Sequence, residues 1–339
     1  MRTLSILCVA CLCVAKATGM FAATAGPQLF GPGVISTVDD EAGGALTPDG
    51  KEFYFVKIAP YTVAPTLSLI CVSHKRKTGW SEPEVVPFSG QYLDLPPRLS
   101  ADGKMMLFGS TRPVSGTDGS AFHVWRVVRT DSAWSAPEPL PPPIDAPGVS
   151  NFDASIAADG TLYLTSDGGH PGEYHIYRSR LVGGQYSKPE KLPPPVDSGT
   201  DTIDVEPFTA PDQSYLVFVS QWKGQDLRNR RPEELIAGGS PYPRGDIYII
   251  FRTPTGWTLP RHLGNRINSF AAEAFPSVTP DGKYLFFSSE RSMFNAPLSK
   301  PIRWARLERE WHTARNGRGN IFRVEMATVM RAPSASKRR

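Results

Sequence analysis

Hydrophobic and polar positions alternate with period two in short runs along the whole chain. Glu52-Phe53-Tyr54-Phe55-Val56 and Tyr284-Leu285-Phe286-Phe287-Ser288 are clear cases, and the period predicts strands. Each such run follows a turn of one type: a small or polar residue, then Pro or Ala, then Asp-Gly. The five copies are Thr47–Gly50, Ser100–Gly103, Ala157–Gly160, Ala210–Gln213 and Thr279–Gly282, with Gln213 replacing the glycine once. The turn aspartates lie 53, 57, 53 and 69 residues apart. Asp-Gly between alternating strands is a hairpin signal, because glycine tolerates the positive φ of a tight turn.

A third strand follows in every copy: 67–73, 122–129, 174–180, 246–252 and 320–326. In four copies an aromatic then precedes a proline by three, as Trp80/Pro83, Trp134/Pro137, Tyr186/Pro189 and Trp257/Pro260. Such a proline opens a fourth strand on an outer edge, where no ladder donor is needed. The fifth copy stops after its third strand. The missing one lies near the other end, in Pro27–Ile35, placed before Glu41 much as 260–267 is placed before Glu273. The pattern predicts an all-β, five-bladed β-propeller over residues 26–330, with four antiparallel strands per blade and the N-terminal strand closing the last blade. Outside the blades only one helix is expected, over 302–311.

These residues resemble the WD-repeat-like, TolB-type β-propeller family. Its signature is Ser/Thr-Pro-Asp-Gly-Lys followed by Leu-x-Phe-x-Ser, and TPDGKYLFFSS at 279–289 and GDIY at 245–248 match it best. No α/β domain precedes the blades here, so the resemblance implies the propeller and not a role in the Tol envelope system. The family is functionally mixed, and site chemistry must be argued separately.

Residues 1–25 read as an export signal, with Arg2, the apolar run 4–15, and small residues at 17–19 and 23–25. The run is too short to span a membrane, so a secreted or periplasmic chain is expected. Three of the four cysteines would leave with this segment. Cys71 then remains alone, without a disulfide to form, in an apolar stretch. Of 37 basic residues, six lie in residues 1–25 and in the tail 331–339, which is expected to be disordered. The body keeps 31 against 33 acidic ones. No basic excess is left for phosphates, which argues against nucleic acid. The propeller is expected to be a monomer.

Candidate chemistry falls on the face opposite the Asp-Gly turns. Glu41, Asp94, Asn151, Asp204 and Glu273 each stand eight residues before a turn aspartate, at the start of the innermost strand, and Asp40, Asp153 and Glu206 adjoin them. One reading ties each of the five to backbone of a neighbouring blade. The other makes them an acidic mouth for a polar ligand, or for Ca²⁺ or another cation in the channel. A second register begins the third strands: Ser68, His123, His175, Asp246 and Asn320. Two long loops share that face. Residues 223–244 carry Arg228, Arg230 and Arg231. Residues 291–318 hold seven basic and two acidic groups, with Arg303, Trp304 and Trp311.

No sialidase Asp-box, serine-nucleophile, Walker or zincin motif is present. The expected function is therefore non-catalytic binding of a protein or glycan on this rim, through the acids, His123, His175, Asp246, Arg303 and Trp304. The alternative is a carbohydrate-acting hydrolase with a carboxylate pair in the central funnel, drawn from Glu41, Asp94, Asp204 and Glu273. Such a pair must lie roughly 5–9.5 Å apart, one member with a raised pKa.

Overall fold

The computed structural model describes residues 26–60, 67–114, 121–131, 133–197, 202–222, 245–292, 294 and 300–331. The expected export signal, the tail beyond 331 and the loop 223–244 lie outside them. The described chain is a five-bladed β-propeller with four antiparallel strands per blade. Blade one runs Asp40–Leu46, Glu52–Ile58, Ser68–His74, Glu84–Val85. Blade three runs Asn151–Ile156, Leu162–Ser166, His175–Ser179, Glu190–Lys191. Blade four runs Thr202–Thr209, Tyr215–Trp222, Asp246–Thr253, Arg261–His262.

In blade two the consecutive prolines 96 and 97 cut the inner strand to Arg98–Leu99 plus one bridge, Asp94 to Ser110. A proline has no N–H to give a ladder. Met105–Ser110, His123–Val128 and Glu138–Pro139 complete that blade.

Blade five closes as the repeat count requires. Its first three strands are Glu273–Val278, Tyr284–Ser289 and Asn320–Glu325, and its outer strand is Gln28–Leu29 from the start of the described chain. Phe30 N–H donates to Ile321 O at 2.8 Å, and Ile321 N–H donates to Ser36 Oγ at 3.1 Å. The Phe30 ring packs 4.6 Å from Phe53 and 4.7 Å from Phe286, joining blade one to blade five. A helix that the pattern did not predict, Met326–Met330, follows the last strand and buries Met326 and Val329.

The core is five apolar clusters, one per blade pair. Second strands show why. In blade four Leu216 and Phe218 face blade three, while Val217 and Val219 face blade five. Sheets buried on both faces need apolar residues at both parities. Fully burying one such side chain stabilises by roughly 1.5–3 kcal/mol. In three blades the aromatic before the outer strand is half of a hairpin contact: Lys75, Arg129 and Arg252 lie 4.9, 4.9 and 5.0 Å over Trp80, Trp134 and Trp257.

The Asp-Gly residues are turn chemistry. Asp49 Oδ1 accepts from Thr47 Oγ1 (2.7 Å) and Lys51 N–H (3.0 Å), and Gly50 has φ +68°. Gln213 takes the same conformation at φ +58°. Its side chain accepts from Tyr163 OH at 2.9 Å and donates to Asp159 at 2.8 Å, so it ties two blades together.

Four of the five inner strands share one irregularity. Bulges fall between residues 42 and 45, 152 and 155, 205 and 208, and 274 and 277. Within each bulge one residue has positive φ: Gly43, Asp153, Glu206 and Phe275. Bulges re-aim side chains. At Gly43 a Cβ would stand 2.2 Å from Pro96 Cβ, so glycine is required there.

Candidate functional site

All five register residues are buried, between 0 and 1% exposed, and the expected acid-lined rim does not form. Four of them serve the junction where the chain enters a blade. Glu273 accepts from Ser269 N–H (2.8 Å) and Oγ (2.6 Å), from Ser289 Oγ (2.8 Å), and from Arg291 Nη2 (3.1 Å). Asp94 accepts from Ser89 Oγ (2.5 Å), Ser110 Oγ (2.6 Å) and Arg112 Nη2 (3.0 Å). Glu41 accepts from Thr37 N–H at 3.0 Å and Asn320 Nδ2 at 2.9 Å, with Lys57 Nζ at 3.5 Å. Asn151 donates to Ile144 O at 2.7 Å, and Asp204 is buried opposite Ser220.

The carboxylates hold the entering loop rather than the backbone of a neighbouring blade. The Glu41 side chain also reaches the adjacent blade through Asn320, and the main-chain N–H groups of Glu41, Asn151 and Glu273 donate to Gly319 O, Phe122 O and Gly245 O of the preceding blade. Burial raises the pKa of Asp94 and Glu273 against these donors. The positive charges beside them, Arg112 and Arg291, escaped the sequence reading. Their signal is Ser-x-Arg at the end of the second strand, 110–112 and 289–291.

The second register is also tied to those loops. His123 hydrogen-bonds Asp145 through Nδ1, and His175 Nδ1 lies 3.1 Å from Asp197, which Lys191 also meets at 2.8 Å. In blade four the order inverts, with Asp246 on the third strand 3.3 Å from His262 on the outer one. Ser68 Oγ donates to Asp94 O, and Asn320 Nδ2 to Thr37 O. No cluster of three or more His, Cys, Asp or Glu among the described residues is arranged to hold a metal.

What the structure brings together is a different set, two and four residues further along the inner strands. Arg98 of blade two, Asp153 of blade three and Glu206 of blade four interact electrostatically with one another. Side chains from three consecutive inner strands converge on the propeller axis. Arg98 is 2% and Asp153 3% exposed, while Glu206 is half-buried. Phe275 N–H donates to Glu206 Oε2, extending the set to blade five.

Burial pushes Asp153 up to about 7, against the lowering pull of Arg98. Burial and then the Asp153 charge push Glu206 up to about 8. Two carboxyls this close cannot both ionise freely, so the pair titrates as a unit. Arg98 Nε and Nη2 and Asp153 Oδ1 have no hydrogen-bond partner among the described residues. Buried unpaired donors and acceptors cost about 1–3 kcal/mol each. The channel where a cation was expected already carries one positive charge, in this guanidinium.

Elsewhere along the axis, the Asp-Gly turn end is a vestibule lined by Leu99, Ile156, Phe208, Tyr215, Val278 and Phe286, with serine and threonine side chains among them and no carboxylate or cation. On the opposite face the blade-five insertion forms the helix Trp304–Trp311, with Arg303 as its N-terminal flank. Trp304 is exposed, and its ring centroid lies 5.4 Å from Trp311. No helix among the described residues is long and apolar enough to cross a membrane.

No family model and no curated protein matches the chain. Solved structures do. An α-L-arabinofuranosidase from Lactobacillus brevis is 14% identical over 87% of this chain and 92% of its own, with a TM-score of 0.51. An arabinanase from Bacillus subtilis is 9% identical over 86% and 95%, at 0.49. A puromycin-hydrolyzing peptidase from Mycobacterium tuberculosis is 12% identical at 0.40, and this chain spans about a third of it, 34%. At these identities the likeness is one of fold, a propeller shared with glycoside hydrolases.

Proposed function

We propose that this chain is an exported carbohydrate-acting hydrolase whose acid and base are Glu206 and Asp153, beside the charge of Arg98 on the propeller axis. One observation carries the reading: two converging carboxyls, both raised toward neutrality by burial and, at Glu206, by the neighbouring charge, with a cation beside them. Such a pair holds one proton near pH 7, which is the division of labour glycoside hydrolysis needs. Glu206, the higher and more exposed of the two, gives its proton to the leaving glycosidic oxygen as the C–O bond breaks. Asp153, ionised beside Arg98, takes the proton of the water whose hydroxyl adds to the anomeric carbon.

The binding module expected first loses its main support, because Glu41, Asp94 and Glu273 are spent on hydrogen bonds within the fold. The hydrolase alternative gains a pair, but not the one the register suggested. The neighbours with arabinofuranosidase and arabinanase activity make furanosides and pentose oligomers sensible first substrates.

The test is hydrolysis of aryl arabinofuranosides, aryl xylosides and linear pentose oligomers between pH 4 and 9. Glu206→Gln and Asp153→Asn should each lower turnover by roughly 10²–10⁴-fold, while Glu41→Gln lowers it only in step with any loss of folded protein. Absence of turnover by the unaltered chain across that panel and range would overturn the reading.

A further inference from the structure

A cleft on the same face lies between the blade-five insertion and the segment entering blade one. Its walls are Val38, Trp311, His312, Asn316 and Arg318, around about 690 Å³ that includes space open to solvent. The helix behind it is unusual for a propeller loop. Trp304, Leu307 and Trp311 share one face at i, i+3 and i+7, yet the helix buries no residue. Its two tryptophans stay 62% and 49% exposed. The rings meet edge to face, at 86°, so Trp304 braces Trp311 as a fixed wall.

The opposite wall is fixed too. Asn316 Nδ2 donates to Val38 O at 3.0 Å and to Trp311 O at 3.2 Å, stitching the two sides before any ligand arrives. Charge decides what such a cleft can take. Arg318 acts on Asp39 and Asp40, while Asp39 also pairs with Lys57 at 2.7 Å and Asp40 accepts from Gly319 N–H. Where the two walls meet, Arg318 and Lys57 stand against Asp39 and Asp40, so a strongly charged ligand gains little there. A ring with a C–H face for the indole, and hydroxyls that accept from Arg318 and exchange a hydrogen bond with His312, matches these walls.

We propose that this cleft is a saccharide subsite, binding one neutral sugar unit of a longer glycan. Residue 38 is two positions before the inner strand Asp40–Leu46, so the cleft opens on the face where the innermost strands begin. Sugar bound there and sugar at the axis then belong to one chain, and the substrate is an oligomer or polymer rather than a small glycoside. That last step rests on the hydrolase reading; binding in the cleft does not.

The experiment titrates the full chain carrying Glu206→Gln with xylohexaose, arabinohexaose, cellohexaose and their monosaccharides. Tryptophan fluorescence and saturation-transfer NMR are read together. At least one hexaose should bind well above its monosaccharide. Trp311→Ala should weaken that binding about tenfold, Trp311→Phe should recover most of it, and Arg318→Ala should weaken it by a smaller factor. Thermal melts accompany each variant, and the Phe and Arg318 substitutions decide the matter where Ala unfolds the chain.

No hexaose binding, or binding indifferent to Trp311 and Arg318, overturns the subsite. If the unaltered chain hydrolyses none of the probes while Trp311-dependent binding persists, the hydrolase reading falls and the subsite stands. If hydrolysis is found without that dependence, only the subsite falls.

Discussion

Glu273 and Glu206 are both glutamates of an inner strand, in adjacent blades and two repeat positions apart, yet the fold treats them oppositely. Glu273 is fully buried and receives donors from Ser269, Ser289 and Arg291. Glu206 sits in a bulge at φ +57°, accepts from Phe275 N–H, and faces an unionised or ionised Asp153 across a poorly satisfied Arg98. The first arrangement spends the charge on holding a loop. The second keeps charge in reserve at a cost that stability alone does not explain. A buried carboxylate marks a functional site by its missing partners, not by its burial.

The comparison breaks most readily at the junctions. A chain lacking residues 26–37 should lose cooperative folding at ambient temperature. It forfeits the outer strand of blade five, the Phe30 contacts and the Thr37 donors to Glu41. Circular dichroism melts check this, and a melting temperature equal to that of the chain beginning at residue 26 would contradict the closure role.

Asp94→Ala comes next. It strands the Arg112 guanidinium, 8% exposed, without its carboxylate. Breaking a buried pair in this way costs about 3–5 kcal/mol, readable from urea unfolding. A loss under about 1 kcal/mol would remove the distinction between junction and axis.

The smallest effect concerns pH and has the opposite sign at the axis. Asp153 and Glu206 have folded pKa values raised above those of the unfolded chain. Their contribution to stability is therefore complete below about pH 4 and is lost as pH rises through about 7 and 8. Asp49, Asp102 and Asp281, lowered by hydrogen bonds in the turns, act the other way and lose their contribution on acidification. Stability of the unaltered chain minus that of Asp153→Asn/Glu206→Gln should fall between pH 5 and 8. A flat difference would mean that the axial carboxyls are ionised throughout.

Much of this was legible in the chain. The Asp-Gly turns fixed five hairpins because their geometry is local, and Thr47, Asp49 and Gly50 make their contacts within six residues. Closure by the N-terminal strand followed from counting. The helix Met326–Met330 did not, because the apolar periodicity of five residues is too short to separate from a strand end.

The candidate site divides along the same line. Repeat spacing located Glu41, Asp94, Asn151, Asp204 and Glu273 at a common place in every blade. It said nothing of whether serine and arginine donors would meet them there. Asp153 and Glu206 were visible only as neighbours of that register, and Arg98 was hidden behind two prolines. Sequence determines what hydrogen bonds and periodicity settle over a few residues: the turns, the strands, the blade count and the closing segment. Only the closed ring decided which charges meet. Arg98, Asp153 and Glu206 are separated by 55 and 53 residues in the chain, and become neighbours because three inner strands converge on one axis, a distance that no local pattern encodes.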